Sequence, residues 1–423
     1  MQTLLFFSKI IKRGGINLKP KKKDEAKKEL SLIFSDLDIL TDDDQNDGAF
    51  STRGTKGDFR LSNIGLVAKM KIASILFEEK WINNNFTYKE LDKHILNFCM
   101  ENYANTENHD FEKLEVYLKQ FVHTEVEHKV VSILRGTSGV EEELTYGAFK
   151  IYPSKLIDKH IKCKNWDDLK KDFLDENTDE IMIETSVFSS NKNRAQEIAN
   201  ERMENFINIL SFFVYSKKRR FELRIGKSDS FLLSVSLINY SNTVVLQRNI
   251  KGPFFKMDLK EVLNTWDEFL NKLLKIEKDI WENTANEIEK RLFNSIQWAG
   301  RALKESYEDK KFIQAMFGME ALLQEKNKNN VISPSITSQM SEVLIFCLGE
   351  NYEERAEIEK NFKQLYTTRS NIAHGERTQV SEYESNLVLD YLRHIIFYFL
   401  KNDTFKTFKD VNEFIKNEKY KKM

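Results

Sequence analysis

Leu365-Tyr366-Thr367-Thr368-Arg369-Ser370-Asn371-Ile372-Ala373-His374-Gly375 closes a long amphipathic segment, 352–374, and ends on the residue type that most often stops a helix. Glycine just past a last helical residue enters the left-handed region without steric cost, so the helix is predicted to end at His374. Arg369 and His374 are five residues apart, which would set them about 140° apart around a continuing helix. A chain that turns at the glycine leaves His374 at the helix end, free to swing back toward Arg369. Ser370 and Asn371 then add polar groups beside the pair, while Ile372 and Ala373 face the core. A purely structural account competes with this one. A histidine in a last turn suits the helix dipole, and an arginine one turn earlier is ordinary helix surface.

Outward from this run, everything after about 258 has the same texture. Apolar residues recur three and four apart in a segment from Leu259 through Ile276 toward Trp281 and in another at 285–307 (Ile288, Leu292, Ile296, Ala299). The same spacing marks 310–325 (Phe312, Ala315, Met316, Met319, Leu322), 335–348 and 380–400 (Leu387, Leu389, Leu392, Ile395, Ile396, Phe399). Pro334, Gly349 and Gly375 punctuate these segments. Stripes at that spacing are core positions, and the expected fold is an antiparallel all-α helical bundle. Upstream the pattern is mixed. It is helical over 62–130 (Ile64, Val67, Ala68, Ile72, Leu76) and strand-like over 126–153 around Gly136 and Gly139. It is helical again over 194–210, then strand-like through Phe221, Leu223, Ile225, Leu232 to Leu237 and Val244 to Leu246. The fold class is therefore α+β: a poorly committed segment 1–60, a mixed α+β region 61–257, a connecting helix 258–283 and a helical domain 284–423.

The bulk composition bounds what such a chain can do. Its 423 residues exceed what one core usually serves, and 41% hydrophobic with 31% charged residues describes a globular protein. Four prolines and 15 glycines argue against a sandwich of many tight turns. The net charge of −1 creates no global field for nucleic acid, so such contacts must come from local patches. Cys99, Cys163 and Cys347 lie far apart, which fits a reducing cytosol rather than a disulfide framework or zinc cluster. Leu4-Leu5-Phe6-Phe7 is too short for a signal segment, and no run approaches the roughly 18 apolar residues of a membrane span. A cytoplasmic location without membrane association is expected.

The Arg369-to-Gly375 string resembles the signature of HEPN domains, in particular the Apea-like group, in which Arg-Ser-x-Ile-x-His-Gly recurs before the final helix. Trp298-Ala299-Gly300-Arg301-Ala302-Leu303 and Phe312-Ile313-Gln314-Ala315-Met316-Phe317-Gly318-Met319-Glu320-Ala321-Leu322 are similar to the first two helices of that family. The resemblance covers about 285–405. Some members carry Asn or Asp directly after the arginine, where this chain has Ser370. The resemblance implies a metal-independent endoribonuclease that needs no cofactor, with Arg369 and His374 as its catalytic pair. Ser370, Asn371 and Glu320 would support them. RNA supplies its own nucleophile, the 2′-hydroxyl. Imidazole can remove that proton or protonate the leaving 5′-oxygen, and a permanently charged guanidinium can hold the phosphate. Family members generally face two such motifs across one cleft. A chain with one motif in this context implies a homodimer, or a partner carrying a second copy. A role in phage defence or as a regulated toxin follows, with the N-terminal region sensing a trigger or restraining the nuclease. The alternative within the same resemblance is a non-catalytic HEPN module for dimerisation or nucleotide binding.

Other constellations carry less. Lys217-Lys218-Arg219-Arg220 follows Phe212-Phe213-Val214-Tyr215, so charge and aromatics interleave as in an RNA-contacting patch, although such runs are commonly solvated turns. Counted from Asp43, a calcium loop would need glutamate where Gly54 stands. On a strand, His123, Glu125 and Glu127 would share a face while His128 points away, which does not complete a zinc set. No metal site is expected. No G-x4-G-K-[ST] loop is present, which argues against ATP hydrolysis.

Overall fold

The computed structural model describes residues 18–39, 50–54, 57–105, 109–161, 166–174, 180–214, 223–226, 232–240, 243–250, 255–325, 335–376 and 379–420. The chain divides into two compact units, Met1–Val130 with Ser186–Asn200, and Val131–Thr185 with Glu201–Met423.

In the first unit, α1 (Pro20–Asp36) starts on a proline whose missing N–H suits a first turn. Its lysine-rich sequence hides an apolar stripe, Ala26, Leu30, Ile33 and Phe34, all buried. This corrects the expectation that 1–60 is uncommitted as far as the described residues reach: sparse apolar positions suffice when they fall on one face. β1 (Leu37–Ile39), β2 (Phe50–Gly54) and β3 (Gly57–Leu61) form an antiparallel sheet in the order β1-β3-β2. The carboxylate of Asp36 accepts hydrogen bonds from the backbone N–H groups of Ser62 (2.8 Å) and Gly65 (3.1 Å), placing an anion at the N-terminus of α2 (Asn63–Phe77). α3 (Lys80–Asn85), α4 (Tyr88–Asn102) and α5 (Phe111–Lys119) follow, and α4 opens on a Thr87/Glu90 capping box. One core runs from Ala26 to Leu118.

β4 (Val126–Arg135), β8 (Ile181–Ser189) and α8 (Lys192–Phe213) have residues in both units. β5 (Thr137–Ser138), β6 (Leu144–Tyr146), β7 (Phe149–Pro153), α6 (Ile157–His160), α7 (Trp166–Phe173) and β9 (Arg224–Ile225) complete the region around a five-stranded sheet in the order β6-β7-β8-β4-β9. β8 is buried almost throughout instead of at alternate positions, as expected of a central strand covered on both faces. β10 (Leu232–Tyr240) and β11 (Thr243–Ile250) pair as a hairpin, and β12 (Met257–Asp258) lies parallel to β5. The single helix expected over 259–281 is two, α9 (Leu259–Thr265) and α10 (Asp267–Trp281), broken at Trp266 with φ −114° and ψ 19°. Asn264, Thr265 and Asp267 are all weak helix formers, and the Trp266 indole stacks on Phe213 at 5.0 Å and Phe397 at 5.5 Å.

The remainder is helical: α11 (Glu287–Lys304), α12 (Glu308–Leu323), α13 (Ile336–Leu348), α14 (Tyr352–Ala373), α15 (Glu382–Lys401) and α16 (Phe408–Tyr420). Capping boxes at Asn286/Glu289 and Ser381/Glu384 fix the starts of α11 and α15. α11 and α12 form an antiparallel hairpin, with Trp298 against Phe317. α14 and α15 are also antiparallel, pairing Thr368 with Glu384 and Asn361 with Tyr391. α12 and α15 run in the same direction, because Glu308 meets Ser385 while Gly318 lies against Leu392. α16 was not foreseen. Only Phe408, Val411 and Ile415 of its 13 residues are buried, in a lysine-rich context. Among the described residues no helix is long and apolar enough to cross a membrane.

Candidate active site

α14 is started by Asn351, whose side chain accepts from Glu354 N–H at 2.9 Å, and its buried face is Phe362, Leu365 and Thr368. Its other end closes as a Schellman motif. Gly375 sits at φ +76°, its N–H bonds Ile372 O at 3.1 Å, and the Glu376 N–H bonds Asn371 O at 2.8 Å. His374 itself keeps a right-handed backbone (φ −90°, ψ −1°), with its N–H on Ser370 O at 3.0 Å. The chain therefore reverses only after His374. His374 is the C-cap of the helix, and on this backbone the Cα–Cβ bonds of Arg369 and His374 leave the axis at azimuths about 140° apart. His374 is exposed, and its imidazole takes no hydrogen bond or ion pair among the described residues. Ala373 is exposed too, contrary to the expectation that it faces the core, and Ile372 is half-buried. A helix end presents its last turn to solvent.

Arg369 is held from a different element. Its Nε lies 2.9 Å from Glu320 Oε1 on α12, a contact too bent to be a hydrogen bond, and its Nη2 donates to Glu320 Oε2 at 3.3 Å. The guanidinium also stands over the Phe317 ring at 5.9 Å. Both charged side chains are mostly covered, 26% and 16% exposed, so the pair is screened less than a surface one. Beside it, Tyr366 has its phenol pushed above the usual value, first by burial and then by the Glu320 charge, against the opposing Arg369. Thr368 Oγ1 donates to Glu384 Oε1 at 3.1 Å and so ties the last turn of α14 to the capping box of α15. Ser370 and Asn371 are half-buried. Their carbonyls serve the helix end, and their side chains have no partner among the described residues.

The fold thus joins Arg369 to Glu320, and His374 stands exposed at the end of the same helix. Lys217, Lys218, Arg219 and Arg220 lie outside the described residues, as do Cys163 and the whole acidic tract from Asp42 to Gly48. Glu125 accepts from Asn85 Nδ2 at 3.0 Å, and His128 Nε2 lies 3.1 Å from Ser189 O, so both serve local packing. β4 starts only at Val126, which removes the strand alignment of His123 and Glu125 with Glu127. Among the described residues no group of His, Cys, Asp and Glu could hold a metal ion. Sequence reading missed Phe317 and Thr368. The signal for Thr368 was a polar residue three after Leu365 on an otherwise apolar face.

Comparison of the chain with protein-family models, with curated proteins and with solved structures finds no match.

Proposed function

We propose that this protein is a metal-independent endoribonuclease of the HEPN kind, with Arg369 and His374 as the catalytic pair, acting in phage defence or as a regulated toxin in the cytoplasm. The observation that carries the reading is the Arg369-Ser370-Asn371-Ile372-Ala373-His374-Gly375 string at the closed end of α14, within a helical region, with its guanidinium positioned by Glu320. In this reaction the 2′-oxygen attacks the adjacent phosphorus and the bond to the 5′-oxygen breaks. One proton leaves the 2′-hydroxyl and one joins the 5′-oxygen. The products are a 2′,3′-cyclic phosphate and a 5′-hydroxyl. His374 is free to carry such a proton because no other group occupies its imidazole among the described residues. Arg369 holds the phosphate oxygens, which must compete with the Glu320 carboxylate. The azimuthal separation of the pair supports a site assembled from two copies of the chain, in which each copy supplies what the other turns away. The N-terminal 257 residues then sense the trigger or restrain the nuclease.

A second reading is favoured by one observation: Arg369 is already neutralised by Glu320, as in a bundle that binds without cutting. Expression in growing cells separates the two. A nuclease arrests growth in the wild-type form and not as Arg369→Ala, whereas a non-catalytic module leaves growth equal in both.

A further inference from the structure

A ladder of cations and aromatic rings leads away from Arg369 over the outer face of the α11–α12 hairpin. The Arg369 guanidinium stands 5.9 Å above the Phe317 ring, and Phe317 meets Trp298 edge-on at 5.2 Å and 64°. The Arg301 guanidinium covers Trp298 at 5.0 Å. Lys310 lies seven residues before Phe317 on α12, about 10 Å along the helix axis, and its ammonium stands 4.7 Å over the Tyr307 ring. Phe317 and Trp298 are half-buried, while Arg301, Lys310 and Tyr307 are exposed.

The nearby acids are mostly engaged. Glu320 faces Arg369, Glu305 accepts from the N–H groups of Ser306 and Tyr307, and Glu308 pairs with Lys311, which leaves Asp309. What remains is an alternation of positive charge and ring faces. A polynucleotide single strand alternates in the same sense, one phosphate and one base at a time, whereas a duplex hides its base faces in the stack.

We infer that this face is a binding track for single-stranded RNA that feeds the phosphodiester to Arg369: Arg301, Lys310 and Arg369 turn from the rings they cover to the phosphates, and bases take the vacated ring faces of Trp298 and Phe317. The track rests on the nuclease reading for its destination, but its existence is tested without cleavage. The test is fluorescence anisotropy of the full-length protein with a 2′-O-methyl single-stranded oligonucleotide, which cannot react, and with the same sequence as a duplex. Trp298→Leu weakens binding to the single strand about tenfold, and Trp298→Phe, which keeps a ring, restores it to within about threefold. Arg301→Gln, a change on the surface, lowers the slope of log affinity against log salt by about 0.7. Unchanged affinity in Trp298→Leu together with an unchanged slope in Arg301→Gln overturns the track, as does equal or better binding of the duplex. If Trp298→Leu does not fold, Arg301→Gln and Lys310→Gln decide by their slopes. Loss of the nuclease reading alone has a different outcome: the wild type binds through this face but leaves reactive RNA intact.

Discussion

Replacing Gly300 by alanine probes how closely α11 approaches α8. A Cβ at Gly300 would stand 2.3 Å from Asn208 O, 2.5 Å from its Cα and 2.6 Å from its Cβ. Carbon contacts are comfortable from about 3.5 Å, and the obstacle is backbone that no rotamer change can move, so the helices must part by about 1 Å. That motion stretches two hydrogen bonds beside the contact, Asn208 Nδ2 to Gln297 Oε1 at 2.8 Å and Gln297 Nε2 to Asn205 O at 3.3 Å. Asn208 and Gln297 are both buried, so the amides are left without water as well. Overpacking costs about 1–3 kcal/mol and unmet buried amides about 1–3 kcal/mol, while alanine returns about 1 kcal/mol of helix propensity. The net is a destabilisation of about 3 kcal/mol, equivalent to about a hundredfold in local opening. Hydrogen exchange of peptides from α8 and α11 in the full chain measures it without assuming that a two-unit chain unfolds in one step. Gly318→Ala is the comparison. Its nearest obstacle, at 2.9 Å, is a Leu392 methyl that can yield, and the Ser295 carbonyl at 3.2 Å needs to give by only a few tenths of an ångström, so the cost there is about 1 kcal/mol. Exchange that is unchanged or slower in Gly300→Ala would show that propensity outweighs the clash and refute the close approach.

Glu277, buried on α10, has its carboxyl pushed up to about 7, chiefly by burial and against the pull of Arg202. The folded chain then holds a proton that the unfolded chain has released, so stability falls as pH rises from about 4.5 to about 7; Glu277→Gln removes that slope, worth roughly 3 kcal/mol, in urea titrations across the window. Glu320→Ala frees Arg369 from its positioning contact. RNA cleavage should fall about tenfold, and because the largely covered Arg369 loses its charge partner the stability should fall by about 1–3 kcal/mol; unchanged cleavage would remove Glu320 from the site.

Much of the helical part was legible because its signals are local. The stripes over 285–307 and 380–400 fall on α11 and α15, and Gly375 adopts the left-handed conformation that ends α14. What failed was equally specific. Ala373 was expected to face the core and is exposed, because the end of a helix presents its last turn to solvent whatever its apolar content. The break at Trp266 depends on rings from Phe213 and Phe397, more than fifty residues before and more than a hundred after it, which no window of periodicity contains. The approach of Gly300 to Asn208 and the bond from Thr368 to Glu384 are likewise contacts between elements. The return of residues 186–200 to the first unit follows from tertiary contacts in the same way. The meeting of Arg369 with Glu320 joins positions 49 residues apart, and Glu320 came to notice through the family resemblance rather than through spacing.

Purified full-length wild type and the Arg369→Ala/His374→Ala protein are incubated with total RNA and tRNA in EDTA, and the fragment ends are mapped. The proposed mechanism requires cleavage by the wild type alone, leaving 2′,3′-cyclic phosphate and 5′-hydroxyl ends. Cleavage that persists in the double variant, or that EDTA abolishes, would contradict it.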